Sequence, residues 1–269
     1  MMDGTSVKAD LRSQTEFFVY FTGCYALDRI LELEYFLKSC QTSSNEGVVF
    51  LDVGANIGFY SVAISAVRIK ACRKDIQVFA FEPVHSNFKR LADNVGRSGL
   101  SAGVVCLPFG LSDQEQECLI TLREDFASGA QTGNAALKSS VDRDAGFETE
   151  GVCLKTLDQI SPCLLSDNQK LRAVKIDIEG HEDAFLRGGR DTIARDRPLM
   201  LMEINRGYYN ARGVELDDIF WSVLPTGYRL FGLRNGQWVE LKRFSECCYM
   251  EDVYLKPEEM VVKFLDRQP

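Results

Sequence analysis

Phe50-Leu51-Asp52-Val53-Gly54-Ala55-Asn56-Ile57-Gly58-Phe59-Tyr60-Ser61 is the stretch that decides the fold of this chain. An apolar run, Val48 to Leu51, ends in a carboxylate. Two glycines follow at a spacing of four, and a helix-compatible apolar stretch runs from Phe59 to Ile69. The pattern predicts a strand, a tight turn and a helix. The first glycine permits the turn, and the second lets the helix start pack close to the strand. The N–H groups of the new helix would then face a ligand carboxylate or phosphate.

The next apolar run, Gln77-Val78-Phe79-Ala80-Phe81, ends in Glu82 before Pro83, where a carboxylate can accept both hydroxyls of a ribose. A dinucleotide fingerprint requires G-x-G-x-x-G, with an acidic residue about 20 positions further on. Here the spacing is G-x-x-x-G and Asn56 stands where a middle glycine would be. A helix start for a small carboxylate and an acid for a ribose, without a phosphate cradle, suit S-adenosylmethionine better than NAD. Glycine turns and strand-end acids each occur in many α/β folds. Their order here is what favours a nucleoside ligand.

From Val48 onward, strand-like runs alternate with helical patterns, which predicts βαβ units and a mostly parallel sheet. The predicted strands are Val48–Asp52, Gln77–Glu82, Gly103–Pro108, Ala173–Asp177 and Pro198–Glu203. Helices are expected at Phe59–Ala71, Ser86–Ser98, Glu182–Arg187 and Asp191–Arg195. Tyr228–Leu233 and Tyr249–Lys256, around the turn-rich Arg234-Asn235-Gly236-Gln237, read as an antiparallel finish to the sheet. Residues 1–46 read as a helical cap, with Phe17, Phe21, Cys24, Leu27 and Leu31 at helical spacing. Residues 47–257 form the main domain, with an irregular insertion at 123–150, and 258–269 form a C-terminal tail. Long irregular insertions of this kind are lids, binding loops or disorder.

The chain has 269 residues and a net charge of −8, and 45% of it is hydrophobic. No Lys or Arg run stands out, so the charge argues against a nucleic acid partner. No apolar stretch reaches the roughly 18–20 residues that span a bilayer, and no membrane partner is expected. The run Phe17–Leu27 follows Glu16 in place of a basic region and lacks a small-residue cleavage site, which argues against secretion. Nine cysteines without a C-x-x-C pair read as small buried hydrophobes in a reducing, cytoplasmic setting, and their spacing argues against zinc.

A second chemical cluster lies at Lys175-Ile176-Asp177-Ile178-Glu179-Gly180-His181-Glu182. Asp52, Glu82, Asp177 and Glu203 all fall at predicted strand ends, and parallel-sheet proteins bind ligands beyond those ends. In an extended segment Asp177, Glu179 and His181 would point the same way. An imidazole there can accept a proton near neutral pH. Two other readings stay open: Glu179 and Glu182 capping the following helix with His181 on the surface, or a D-x-E-x-H metal site.

Together these motifs resemble the FkbM-type branch of the class I S-adenosylmethionine-dependent methyltransferases. The resemblance rests on Asp52 to Ser61, on Phe81-Glu82-Pro83 with Asn87, Leu91 and Asn94, and on Leu111-Ser112-Asp113 and Thr156-Leu157-Asp158. It also rests on Lys175 to Glu182 with Gly188-Gly189, and covers roughly residues 47–257. The Lys-Ile-Asp-Ile-Glu-Gly stretch is its specific part. It implies an α/β fold with a Rossmann-like class I methyltransferase sheet, mostly parallel with an antiparallel C-terminal strand, plus the N-terminal helical cap. The implied cofactor is S-adenosylmethionine. The implied reaction is O-methylation of a hydroxyl on a sugar or other small metabolite; no metal ligand is assigned, and whether a divalent metal assists is left open.

Carried over by motif, Gly54, Ala55 and Gly58 would line the methionine moiety and Glu82 would hold the ribose. Ser112 or Asp113 would lie near adenine, with Asp52, Asn56 and Pro83 completing the cofactor set. Asp177 and Glu179 would sit beside the methyl, and His181 on the acceptor side. Alternatives are a catalytically inactive nucleoside-binding module of the same fold, or a methyltransferase acting on a protein or nucleic acid. An NAD oxidoreductase is disfavoured by the glycine spacing. Acceptor choice is expected in residues 1–46 and 123–150, which match no family motif; oligomeric state is left open.

Overall fold

The computed structural model describes residues 5–23, 25–40, 46–123, 126, 133, 135–137 and 146–260. Two N-terminal helices, α1 (Gln14–Thr22) and α2 (Leu27–Ser39), precede β1 (Gly47–Val53), α3 (Phe59–Lys70), β2 (Ile76–Phe81), α4 (His85–Arg97) and β3 (Val104–Leu107). Then come β4 (Gly110–Leu111), β5 (Gln116–Leu122), β6 (Ala135–Leu137), β7 (Glu148–Lys155) and α5 (Leu157–Leu164). They lead to β8 (Gln169–Ile176), α6 (Glu182–Gly188), α7 (Arg190–Asp196) and β9 (Leu199–Asn205). The chain closes with α8 (Arg206–Arg212), α9 (Leu216–Val223), β10 (Tyr228–Arg234), β11 (Gln237–Leu241) and β12 (Met250–Pro257).

The main sheet has the order β11-β10-β12-β9-β8-β1-β2-β3. The β1–β2, β2–β3, β1–β8 and β8–β9 pairs are parallel, and β12 runs antiparallel between β9 and β10. This is the Rossmann-like α/β sheet with an inserted antiparallel last strand that the motifs led us to expect. Continuous apolar runs such as Val48–Leu51 form central strands because helices cover both faces. Asn235 and Gly236, both at positive φ, turn β10 into β11, a strand that the turn-rich reading did not predict.

Three further expectations are corrected. The cap is two helices: Gly23 closes α1 at φ 73°, and Ala26 starts α2 in the left-handed region. The break shifts the helical phase, so Phe17, Phe21, Leu27 and Leu31 lie between 41% and 68% exposed. The inward residues are instead Glu16 and Val19 of α1, and Ile30, Leu33 and Leu37 of α2. Cys24 lies outside the described residues.

Residues 123–150 are not irregular throughout. Ala135–Leu137 is β6, and residues 148–150 begin β7. With β5 and β4 they form a second sheet, β4-β7-β5-β6, packed on Val84 through Ile120, Val152 and Leu154. The remaining insertion residues, apart from 123, 126, 133, 146 and 147, lie outside the described set. The cysteines are also less buried than expected. Of the eight described, all free, only Cys247 is buried, while Cys72, Cys163 and Cys248 are exposed. Among the described residues no helix is long and apolar enough to cross a membrane.

Candidate active site

Strand register lines the acids up. Val53 pairs with Phe81 and Ile176, Ile176 pairs with Met202, and Glu203 pairs with Asp252. One step beyond the Phe81, Val53, Ile176 and Met202 row, Glu82, Gly54, Asp177 and Glu203 therefore stand at one level along the carboxyl edge. A cavity of about 310 Å³ opens over that edge.

The glycine turn is built for close approach. Gly54 has φ 76°, and a Cβ on it would come within 1.9 Å of the Asp177 carbonyl oxygen. Gly58 has φ 92°, and its Cβ would meet Leu91 of α4 at 2.6 Å, so the second glycine serves packing against a helix and not against the strand. Asn56 adopts the left-handed conformation at φ 51°, which asparagine tolerates better than most residues. The Gly54 and Ala55 amides donate to the Phe81 carbonyl, the Gly58 amide to Ala55, and the Asn56 amide to Glu82 Oε2 at 2.8 Å. These loop amides thus close the turn, and any ligand carboxylate would have to use other donors.

Glu82 is held from both sides, since Oε1 accepts from the Val84 amide at 2.9 Å. Burial pushes its pKa up to about 7 against those two hydrogen bonds. Each oxygen keeps a second lone pair for a ligand hydroxyl. Asp52, by contrast, points away from the cavity. It is fully buried, and its Oδ2 accepts from the Ser61 amide at 3.0 Å and the Ser61 hydroxyl at 2.6 Å, tying β1 to α3.

Lys175 links the two motifs. Its ammonium donates to the Gly54 carbonyl at 2.9 Å, lies 3.2 Å from Asp177 Oδ2 and 3.9 Å from Asp52 Oδ1. Burial opposes its charge, but Asp177 and Asp52 more than offset this and raise its pKa above the usual lysine range.

The Asp177–His181 segment is not extended. β8 ends at Ile176, and Glu179 (φ 55°) and Gly180 (φ 87°) both turn left-handed. Asp177 and Glu179 therefore gather with Glu203, their carboxylate oxygens within 4.8 Å of one another, while His181 goes elsewhere. Burial first, then Asp177, raises Glu179; Asp177 first, then burial, raises Glu203. His181 Nε2 lies 2.8 Å from Ser112 Oγ, and burial lowers the imidazole pKa. Glu182 staples the turn from below, accepting from the Ile178 and Gly180 amides and from the Tyr209 hydroxyl. Its carboxyl, 2% exposed, is pushed up to about 7 by burial.

Of the residues expected from sequence, Gly54, Ala55, Asn56, Glu82, Pro83, Asp177, Glu179 and His181 line the cavity. Asp52, Gly58, Ser112 and Asp113 do not; Asp113 is exposed and bonds Arg187 at 3.0 Å. The cap contributes Thr15, Glu16 and Tyr25, and the insertion contributes Gly133 and Ala135. Sequence reasoning missed Tyr25, Tyr60 and Lys175 as site residues, and left Glu203 as a strand-end acid without a role. Tyr25 stacks on Phe59 with ring centroids 4.9 Å apart, and nothing local in its sequence marked it.

Comparison with known proteins bears on this geometry. The chain is similar to the hexuronic acid methyltransferase AglP of Haloferax volcanii, at 28% identity over 165 residues. That match covers 61% of this chain and 59% of the relative's own length. Among solved structures it is similar to the FkbM methyltransferase of Methylobacillus flagellatus, at 16% identity and TM-score 0.44, covering 81% of this chain and 45% of that one. It is also similar to an O-methyltransferase of Thermotoga maritima, at 11% identity and TM-score 0.39, covering 87% and 66%. Residues 52–230 match the profile of the methyltransferase FkbM domain, and the chain belongs to that family.

Proposed function

We propose that this chain transfers a methyl group from S-adenosylmethionine to a hydroxyl of a sugar or other small metabolite. The observation that carries this reading is the level row of Glu82, Gly54 and Asp177 under one cavity. The residues fit the cofactor. Gly54, lacking a Cβ, lets the β1 and β8 ends close together at the Asp177 carbonyl under the cavity, and Glu82 is clamped with one lone pair per oxygen left for a ribose diol. Glu82 and the Gly54 turn would hold S-adenosylmethionine, which would supply an electrophilic methyl whose S–C bond breaks as the acceptor O–C bond forms, with the acceptor proton taken by a base of this chain. A relative named for a sugar acid supports a sugar-like acceptor.

The protein's part is alignment, exclusion of water and removal of that proton. His181 is the general base in this reading. It lines the cavity, burial keeps it neutral near pH 7, and Ser112 holds its ring. His181→Ala should lower turnover by about 10²–10⁴-fold while leaving cofactor affinity, measured by calorimetry, unchanged. Full activity in that variant would remove His181 from the mechanism. A carboxylate base is the second reading, favoured by the proximity of Asp177, Glu179 and Glu203. It predicts that Asp177→Asn is inactive where His181→Ala is not.

A further inference from the structure

Glu203 is the odd member of the acidic group. Asp177 has Lys175 at 3.2 Å, Glu179 bonds the Tyr208 hydroxyl, and Asp252 on the neighbouring strand has Arg29 of the cap. Glu203 lines the cavity yet has no hydrogen bond or ion pair among the described residues. Its carboxylate is presented to whatever enters.

The cavity's electrostatics point the same way. Among its described lining residues, Glu16, Glu82, Asp177, Glu179 and Glu203 are acidic, and Lys175 is the one Lys or Arg. Lys175 is 6% exposed and already committed to Gly54, Asp177 and Asp52. Glu16 is answered from outside the cavity by Arg90, at 2.9 and 2.5 Å. An anionic acceptor placed beside Glu203 would face the net negative charge of the Asp177, Glu179 and Glu203 group with no uncommitted lysine or arginine among the described lining residues to pair with it, a juxtaposition that is disfavoured.

A hydroxyl-bearing ring suits the same wall. Asp177's charge and burial favour a proton shared at Glu203 and Glu179, so the group offers both carboxylate acceptors and an acid donor. Ring hydroxyls donate and accept, which matches that mixture. Tyr25 adds an aromatic wall from the cap, outside the family-matched segment.

We propose that Glu203 contacts the acceptor and determines specificity, and that the acceptor is an uncharged polyhydroxylated ring, not an acidic one. This inference rests on the methyl-transfer reading above. The probes are methyl β-D-glucopyranoside and the matching glucopyranosiduronic acid, which differ at one position by a hydroxymethyl or a carboxylate. S-adenosylhomocysteine release is measured with the full-length protein and with Glu203→Gln, alongside calorimetry with S-adenosylmethionine and ligand-detected NMR of each glycoside.

The wild-type protein should favour the neutral glycoside in kcat/KM by at least about tenfold. Glu203→Gln should shrink that preference severalfold while cofactor affinity stays unchanged. Equal or better use of the uronide overturns the inference, as does an unaltered preference in Glu203→Gln. Turnover abolished by EDTA also overturns it, because a bound cation would neutralise the wall. Cofactor binding with neither glycoside bound nor methylated overturns it and leaves the methyl-transfer reading standing. Absence of cofactor binding defeats the methyl-transfer reading itself.

Discussion

At the scale of single residues, Gly54 is the least replaceable position. It combines a positive φ of 76° with a carbonyl oxygen 1.9 Å from where a Cβ would sit. Gly54→Ala must either strain the backbone or push β8 away, at a combined cost of about 2–4 kcal/mol. Urea unfolding should report that loss, and calorimetry a cofactor affinity weakened by more than the stability change explains. A variant as stable as the parent would mean that the two strand ends are not in such close contact. Gly54 was legible in sequence because a turn glycine announces a local backbone need. The Asp177 carbonyl that makes it irreplaceable comes from 123 positions along the chain.

At the scale of elements, the cap is part of the domain's wall. α2 is pinned to β12 by Glu32 and Lys256, 2.9 Å apart, and by the Tyr254 hydroxyl donating to the Arg29 carbonyl. Lys256 is 1% exposed, lies over the Phe231 and Tyr254 rings, and is lowered to about 8 by burial against the pull of Glu32. Glu32→Gln should cost about 1–2 kcal/mol at pH 7, because it strips the carboxylate from a buried ammonium that can limit the penalty by giving up its proton. A lysine whose folded pKa is depressed destabilises the fold most below that pKa, and the penalty fades as pH rises toward 10.5. Without Glu32 the folded pKa of Lys256 falls further, so the melting curves of the two proteins should converge as pH rises to about 8, where the parent's own Lys256 loses its proton, and a gap that persists above pH 8 would count against this account. The helical character of residues 15–40 was readable from composition. Its phase was not, because the break at Gly23 and Ala26 decides which stripe turns inward.

At the scale of the whole molecule, several buried acids share one titration. Burial raises Glu82 and Glu182 to about 7 and Asp252 to about 6. A carboxyl whose folded pKa exceeds its unfolded value binds more protons when folded, so stability falls as pH climbs from about 4.5 to 7. Asp183 and Glu251 run the other way. Despite burial, Arg212 and Arg187 hold Asp183 low, and Arg234 holds Glu251 low, so stability also falls well below pH 4. The melting temperature should thus peak in mildly acidic buffer. Glu182→Gln should flatten the decline between pH 5 and 7 by up to roughly 3 kcal/mol, the free-energy equivalent of burial pushing this carboxyl from 4.5 to about 7.

The sequence by itself determined the alternating α/β order, the glycine turn, the strand-end acid Glu82 and the Lys-Ile-Asp-Ile-Glu-Gly strand end. Each is a short segment whose backbone demands are met by its own residues. The tertiary structure decided what pairing distant segments required. It turned Asp52 inward to Ser61, sent His181 to Ser112, and brought Glu203 and Tyr25 to the cavity. It also folded part of the insertion into a second sheet. Strand register and helix phase are non-local quantities, and a shift of one residue in either would have moved every one of these side chains to another face.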